Sequence, residues 1–362
     1  MSMFDIPFST SRTRVTVRPG ALQQLGPSLL ELARPTKVLL VSDETVAGLF
    51  AEAALASLGE AGLESEALVL PPGDATKSLA SAERVYDRLG EMRLARDGAL
   101  LALGGGMVSD LTGFAAATWM RGVAFAICPT TVEADVDAAI GGKTAVNHRA
   151  GKNLVGAFHQ PVLVQIDPEC LRTLPPRDLV AGLAESIKHA VITDEPFLSW
   201  HEMQRERVLA QDLAVLTELV ERNVRIKSDV VSRDERERTA LRASLNFGHT
   251  VGHAIESARG FALRHGECVA LGMVAECRIA AALGLLTSAD ADRVVRCIES
   301  YGLPVRLETP LKEAELQGYM SRDKKVAGGR VRFSLPNGLG ATVLRDDVPD
   351  AVVRSACQGV AL

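Results

Sequence analysis

The six cysteines (Cys128, Cys170, Cys268, Cys277, Cys297, Cys357) never form a Cys-x-x-Cys pair. Scattered in a chain of 362 residues, they read as free, mostly buried thiols of a reducing cytoplasm. No block of basic residues occurs and the net charge is −5, which argues against nucleic acid or an anionic membrane as a partner. No apolar run reaches about 18 residues, and the N-terminus lacks the charged-then-apolar signal pattern. These absences predict a soluble, cytoplasmic protein. The Gly-x-Gly-x-x-Gly fingerprint and the Gly-x-x-x-x-Gly-Lys-[Ser/Thr] loop are missing too, and so are internal repeats and low-complexity tracts.

Lysine is scarce. Of the 40 basic residues, 31 are Arg and 9 are Lys (40 − 31 = 9), at 37, 77, 143, 152, 188, 227, 312, 324 and 325. Lys143, Lys152 and Lys324 stand directly beside Gly, Asp or Asn. An ammonium is a compact point charge and a guanidinium a planar fork, so the two differ where a small anion must be met. The nine lysines are therefore candidates for anion contacts.

The length suggests two domains. The first half alternates strands and helices: strands over 13–18, 37–42, 66–70, 98–103 and 124–128, and helices over 21–32, 45–59 and 78–92. This alternation predicts an α/β, Rossmann-like domain with a mostly parallel sheet and helices on both faces. Ligands of such sheets sit at the carboxyl ends of strands. Asp43, Lys77 and the run Gly104-Gly105-Gly106-Met107-Val108-Ser109-Asp110 all fall there. The glycines open a helix, Asp110 follows in its first turns, and Thr130-Thr131 follow the next strand. Together they offer N–H groups, hydroxyls and a carboxylate to a phosphorylated ribose ligand. Pro175-Pro176 marks the predicted boundary, giving an α/β domain over 1–175 and a mainly α-helical domain over 176–362. Helices are predicted there over 178–191, 195–204, 211–231, 247–259, 266–284, 289–301 and 310–320. A hairpin over 329–335 and 340–345 should turn at Pro336-Asn337-Gly338.

Three of the seven histidines crowd into the helical half as His249, His253 and His265. His249 and His253 share one helix face, and His265 heads the next helix. Glu185 lies on another helix, with Lys188 and His189 one turn on. Two imidazoles and a carboxylate with open positions form a catalytic metal set. Spacing does not choose between His249 and His253.

Together these segments resemble the dehydroquinate synthase family of sugar-phosphate cyclases. The resemblance spans roughly residues 40–345 and rests on GGGMVSDLTGFAAATWMRG (104–122), PTT (129–131), VDAAIGGKTAVN (136–147), GKNLVGAFHQP (151–161), TLPPRDLVAGLAESIKHA (173–190), LNFGHTVGHAIE (245–256), RHGECVALGM (264–273) and RDKKV (322–326). It implies NAD and a divalent metal, zinc or cobalt, as cofactors. It implies metal ligands Glu185, His249 and His265. It implies NAD contacts at Asp43, Asp74, Lys77, Gly105, Gly106, Met107, Asp110, Thr130, Thr131, Thr173, Leu174 and Asp178, with Lys143 and Lys152 bordering the cofactor as well. Catalytic and substrate contacts are implied at Asp137, Lys143, Lys152, Asn153, Lys188, Lys227, Glu237, Arg242, Asn246, His253, Lys324 and Lys325. Arg121 is implied to reach a neighbouring subunit's site, hence a homodimer.

The implied substrate is an anionic seven-carbon keto-acid sugar phosphate. The implied reaction is a transient oxidation by NAD, phosphate elimination, reduction and an intramolecular aldol closure. Lys152, Asn153, Asn246, His253, Lys324 and Lys325 are implied to hold phosphate, and Lys143, Lys227 and Arg242 the carboxylate. The chain departs from the family pattern at Glu133 (usually Leu), Asp135 (usually Gln) and Asp74 (usually Glu), and by one extra residue between Asp234 and Arg242. Glu133 and Asp135 would suit an extra amine, which keeps an amino-substituted substrate open. A substrate without a carboxylate, sedoheptulose 7-phosphate, would leave Lys227 and Arg242 without a purpose. Two further classes are an NAD-dependent metal alcohol or glycerol dehydrogenase and a noncatalytic nucleotide binder.

Overall fold

The computed structural model describes residues 2–321, 326–327 and 330–362. Lys324 and Lys325, two of the expected phosphate contacts, lie outside the described residues. The chain divides into two compact units. The first is Met1–Leu174 with Leu216–Arg236, and the second is Pro175–Val215 with Glu237–Leu362. This departs from a single break at 175/176, because the segment 216–236 returns to the first unit.

The first unit runs β1 (Ser2–Pro7), β2 (Arg12–Val17), α1 (Leu25–Leu32), β3 (Lys37–Asp43), α2 (Glu44–Glu60), β4 (Glu64–Leu70), α3 (Leu79–Glu91), β5 (Ala99–Gly104), α4 (Gly106–Thr118), β6 (Ala124–Pro129), β7 (Lys143–His148), β8 (Gly151–Phe158) and β9 (Leu163–Ile166). Seven strands form one sheet in the order β1-β2-β9-β6-β5-β3-β4. Only β1 runs antiparallel to its neighbour in that sheet. Every residue of the central strand β5, Ala-Leu-Leu-Ala-Leu-Gly, is buried. A strand covered on both faces is apolar throughout rather than alternating. Strand order reverses between β3 and β5, since β4 lies outward of β3 while β6 lies beyond β5. Open α/β sheets bind ligands in the crevice at that switch point.

Helix 21–32 is shorter than expected. Leu22–Gln24 form a 3₁₀ turn before α1, and Pro27 sits in the first turn of α1, where its missing N–H costs no hydrogen bond. The β7–β8 hairpin is a separate two-stranded ribbon that strand–helix alternation does not reveal. Its second strand, Gly-Lys-Asn-Leu-Val-Gly-Ala-Phe, is half exposed and carries no apolar alternation.

In the second unit come α5 (Pro176–Thr193), α6 (Glu195–Leu209), the start of α7 (Leu213–Arg233), α8 (Ala240–Ala243), α9 (His249–Ala258), α10 (His265–Ala282), α11 (Ser288–Ser300), α12 (Glu313–Met320) and α13 (Asp350–Cys357). A hairpin pairs Phe333–Pro336 with Thr342–Arg345. The packing centre is α10, whose residues from Gly266 to Ala280 are almost all buried. Glycines let its backbone touch two neighbours. A Cβ on Gly266 would lie 1.8 Å from the Ala181 carbonyl oxygen of α5, and one on Gly272 would lie 1.8 Å from the Gly248 carbonyl oxygen at the head of α9. Gly252 of α9 answers from the other side, its Cβ position falling 2.8 Å from the Cys268 oxygen. No helix among the described residues is long and apolar enough to cross a membrane.

The α9–α10 contact admits no side chain at Gly272. Gly272→Ala should lower stability by about 1–3 kcal/mol or more, the usual range for overpacking. Thermal unfolding would register this, and an unchanged midpoint would contradict the contact.

Candidate active site

In the first unit the expected residues gather at the carboxyl ends of the parallel strands. Asp43 ends β3 and caps α2, its Oδ1 accepting from Thr45 N at 2.9 Å and Val46 N at 3.1 Å. Gly104 ends β5, and Gly105 is the N-cap of α4 with no side-chain hydrogen bond of its own. The first turn of a helix presents N–H groups that an anion can accept. A Cβ on Gly105 would come within 3.1 Å of Thr131 Cγ2, and one on Gly106 within 3.3 Å of Ala138. The bare turn is thus a cradle that suits a pyrophosphate such as that of NAD. Met107 is half-buried in the first turn of α4. Thr130 and Thr131 follow β6, with Thr131 Oγ1 accepting from Ala134 N at 3.2 Å. Thr173 and Leu174 close a 3₁₀ turn, the Thr173 hydroxyl donating to the Cys170 carbonyl at 2.9 Å.

Beside this turn stands a charged cluster. Lys77 Nζ donates to Asp110 Oδ2 and to Asn153 Oδ1. Lys227 of α7 lies 2.7 Å from Asp137 Oδ1 and also bonds the Asp137 carbonyl. Burial pushes the Asp110 carboxyl above its ordinary value, against the pull of Lys77 and Lys227. So Lys77, Asp110, Asp137, Asn153 and Lys227 share one field. Because 216–236 packs with the first unit, its helix brings Lys227 to this cluster. Lys152 sits 3.1 Å from Asp74, and Lys143 at the start of β7 is exposed. Asn153 takes a left-handed conformation (φ +54), a backbone state that Asn tolerates better than most residues. Arg121 is exposed in the turn after α4, where Met120 and Arg121 both have positive φ (49 and 69).

In the second unit α5 carries Glu185 and Lys188, α9 carries His249 and His253, and α10 begins at His265. Glu185 Oε1 lies 3.4 Å from His249 Nε2 and 3.3 Å from His265 Nε2. These three donor atoms lie within 4.8 Å of one another. Lys188 Nζ is paired with the other oxygen, Glu185 Oε2, and both side chains are buried. Burial holds the His249 imidazole well below its ordinary value, outweighing the pull of Glu185. Its Nδ1 faces the Phe247 carbonyl at 3.1 Å. A carbonyl only accepts, so Nδ1 bears the proton and Nε2 offers its lone pair. A neutral imidazole aimed at a carboxylate and a second imidazole is donor chemistry that fits a divalent metal. His253, Glu256 and His265 form an overlapping set, with His265 Nδ1 3.7 Å from Glu256 Oε2. Asp178 in the first turn of α5 pairs with Arg264 at 2.8 Å. Glu237 accepts from Asn246 Nδ2 at 3.1 Å, and Arg242 is buried.

Sequence reasoning missed three residues. Asn147 is bonded to Asp74 Oδ2 (3.0 Å) and accepts from Asn153 N (3.2 Å), so it ties the Lys77 loop to the hairpin. Its place at the end of the run 136–147 was the available signal. Glu256 had a signal in its helical spacing from His249 and His253, whereas Glu276, a lone acid in an apolar helix, had none. Asp135 proves to be fully buried in a π-helical turn over Ala134–Ala138, its carboxyl raised well above the usual range by burial, with Asp167 adding to it. A fully buried carboxyl whose ionisation is disfavoured by burial is a poor counter-ion for an amine. Glu133 does border the site, its Oε1 4.0 Å from a Cβ built on Gly106.

Residues 67–181 match the 3-dehydroquinate synthase N-terminal family and residues 182–326 the 3-dehydroquinate synthase C-terminal family. A 3-dehydroquinate synthase of Synechococcus sp. is 46% identical over 354 residues, 96% of this chain and 95% of that one. The chain belongs to the 3-dehydroquinate synthase family. Another relative so named, from Nostoc punctiforme, is 44% identical over 364 residues, with 99% of both chains covered. Among solved structures, a 2-epi-5-epi-valiolone synthase from Streptomyces hygroscopicus with NAD+ and Zn2+ bound is 28% identical, with a TM-score of 0.87 over 99% of this chain and 98% of that one.

Asp135 gives a pH signature. Burial raises the native carboxyl above the unfolded value of about 3.9, so native protein binds more protons in that window and stability falls as pH rises through it. Asp135→Asn should remove about 1.4 kcal/mol of this loss per pH unit while the native carboxyl stays protonated. Unfolding free energies of both proteins at pH 5 and pH 8 check this, and parallel pH profiles would contradict it.

Proposed function

We propose that the protein is a 3-dehydroquinate synthase, converting 3-deoxy-D-arabino-heptulosonate 7-phosphate to 3-dehydroquinate and phosphate. The carrying observation is the convergence of Glu185, His249 and His265 in a chain whose full-length relatives bear that name. Glu185, His249 and His265 would hold a divalent metal, and Asp43, Asp74, Lys77, the Gly105-Gly106-Met107 turn, Asp110, Thr130, Thr131, Thr173, Leu174 and Asp178 would hold NAD. When bound, NAD accepts and returns hydride, and the metal polarises sugar oxygens.

The chain's own residues do the rest. The family resemblance assigns phosphate contacts to Lys152, Asn153, Asn246, His253, Lys324 and Lys325, donors that would stabilise the negative charge phosphate carries away on leaving. Lys143, Lys227 and Arg242 meet the carboxylate. Asp137 keeps Lys227 in place through its side chain and its carbonyl. Lys188, joined to Glu185, is a buried ammonium set to hold a substrate oxygen. Glu237 orients Asn246. An aqueous, reducing compartment suits the six buried cysteines, none of which is in a disulfide. The active form is inferred to be a homodimer, with Arg121 on its strained, exposed turn serving the second copy.

Protein loaded with metal and NAD+ should release phosphate from 3-deoxy-D-arabino-heptulosonate 7-phosphate without accumulating NADH. Release from sedoheptulose 7-phosphate alone would overturn the substrate, and sustained NADH production with a simple alcohol would overturn the reaction class. His265→Ala should abolish turnover and bound metal while NAD+ still binds, and retained activity would refute the metal assignment.

A further inference from the structure

Helix α9 has an unusual start. Its N-cap is Gly248, left-handed at φ +80, which has no side chain to receive the first-turn N–H groups. His249 follows as the first helical residue. An uncapped, buried helix end leaves donors unsatisfied at a cost of about 1–3 kcal/mol each. Here the cap comes from another helix. Glu276 of α10 is fully buried, and its Oε2 accepts from Gly248 N at 2.7 Å. Its Oε1 accepts from Thr250 N at 3.1 Å and from Val251 N at 3.2 Å. Both oxygens act as acceptors toward the helix, which is the role of the ionised form.

We propose that Glu276 is a positioning residue of the metal centre. It clamps the head of α9 so that His249 presents Nε2, and it supplies the negative charge that this helix end needs when a cation is bound. The N-terminus of a helix carries roughly half a positive charge. A divalent ion held by His249, the first residue of α9, would add positive charge near that end, and the Glu276 carboxylate would offset it. The same helix α10 begins with His265 and touches the Gly248 carbonyl through Gly272. Two of the three donors are thus set by one helix, His265 directly and His249 through Glu276.

This inference rests on the metal reading of Glu185, His249 and His265. The test is Co2+ titration of the metal-stripped chain, following the visible d–d bands, with NAD+ binding measured on the same samples. In Glu276→Gln, which keeps the size, removes the charge and turns one acceptor into an NH2 facing a backbone N–H, the Co2+ dissociation constant should rise roughly 10–100-fold. The bands should shift, the thermal stabilisation given by Co2+ should shrink, and NAD+ affinity should stay within about twofold of the parent. Glu276→Asp, which keeps the charge on a shorter arm, should recover part of the affinity and gives a second folded protein to compare. Unchanged Co2+ affinity and bands in either folded variant would overturn the proposal. Equal losses of Co2+ and NAD+ affinity would also overturn it, because they mark a general loss of packing. If the unsubstituted protein binds no Co2+, the metal reading itself fails.

Discussion

A carboxylate taken out of water dominates the second unit. Glu185 is 1% exposed and cannot remain charged there without compensation. Effective desolvation costs several kcal/mol per ion. Lys188, one turn along the same helix, answers one oxygen, and His249 and His265 face the other. Removing one partner of such a group typically costs about 3–5 kcal/mol, because the remaining charge is left uncompensated. The close backbone contacts at Gly266 and Gly272 follow from this demand. Three helices must approach closely enough for a carboxylate on α5 to meet imidazoles on α9 and α10.

Charge is handled differently in the first unit. There the strand ends supply a glycine turn with open N–H groups, and the lysines are met one by one by carboxylates: Lys77 by Asp110, Lys152 by Asp74, Lys227 by Asp137. Pre-paired lysines keep their geometry fixed before any anion arrives, which lowers the ordering cost of binding. The bond from Lys77 to Asn153 and the bonds of Asn147 to Asp74 and Asn153 join the sheet to the β7–β8 hairpin.

Much of this was legible in the chain. The parallel sheet announced itself through buried apolar strands such as β5, and the histidine cluster through spacing on α9. The scarcity of lysine flagged all nine alike: Lys77, Lys152, Lys188 and Lys227 are seen paired with carboxylates, and so is Lys37, with Glu64. What stayed hidden was long-range. The return of 216–236 to the first unit leaves no local trace, because an amphipathic helix reads the same whichever core it covers. The hairpin β7–β8 lacks apolar alternation because much of it is exposed. Asp135 stood out as a departure from the family pattern that would suit an extra amine, yet the π-helical turn carries it into the interior. Glu276 was invisible because its role depends on a glycine N-cap in a different helix.

The account stands on which side chains hold the metal. Anomalous scattering from a crystal of the protein grown with Co2+, recorded at the cobalt edge, locates that ion directly. The expected result is one strong peak about 2.0–2.2 Å from a Glu185 oxygen, His249 Nε2 and His265 Nε2. A peak bound instead by His253, Glu256 and His265, the overlapping set, would contradict it.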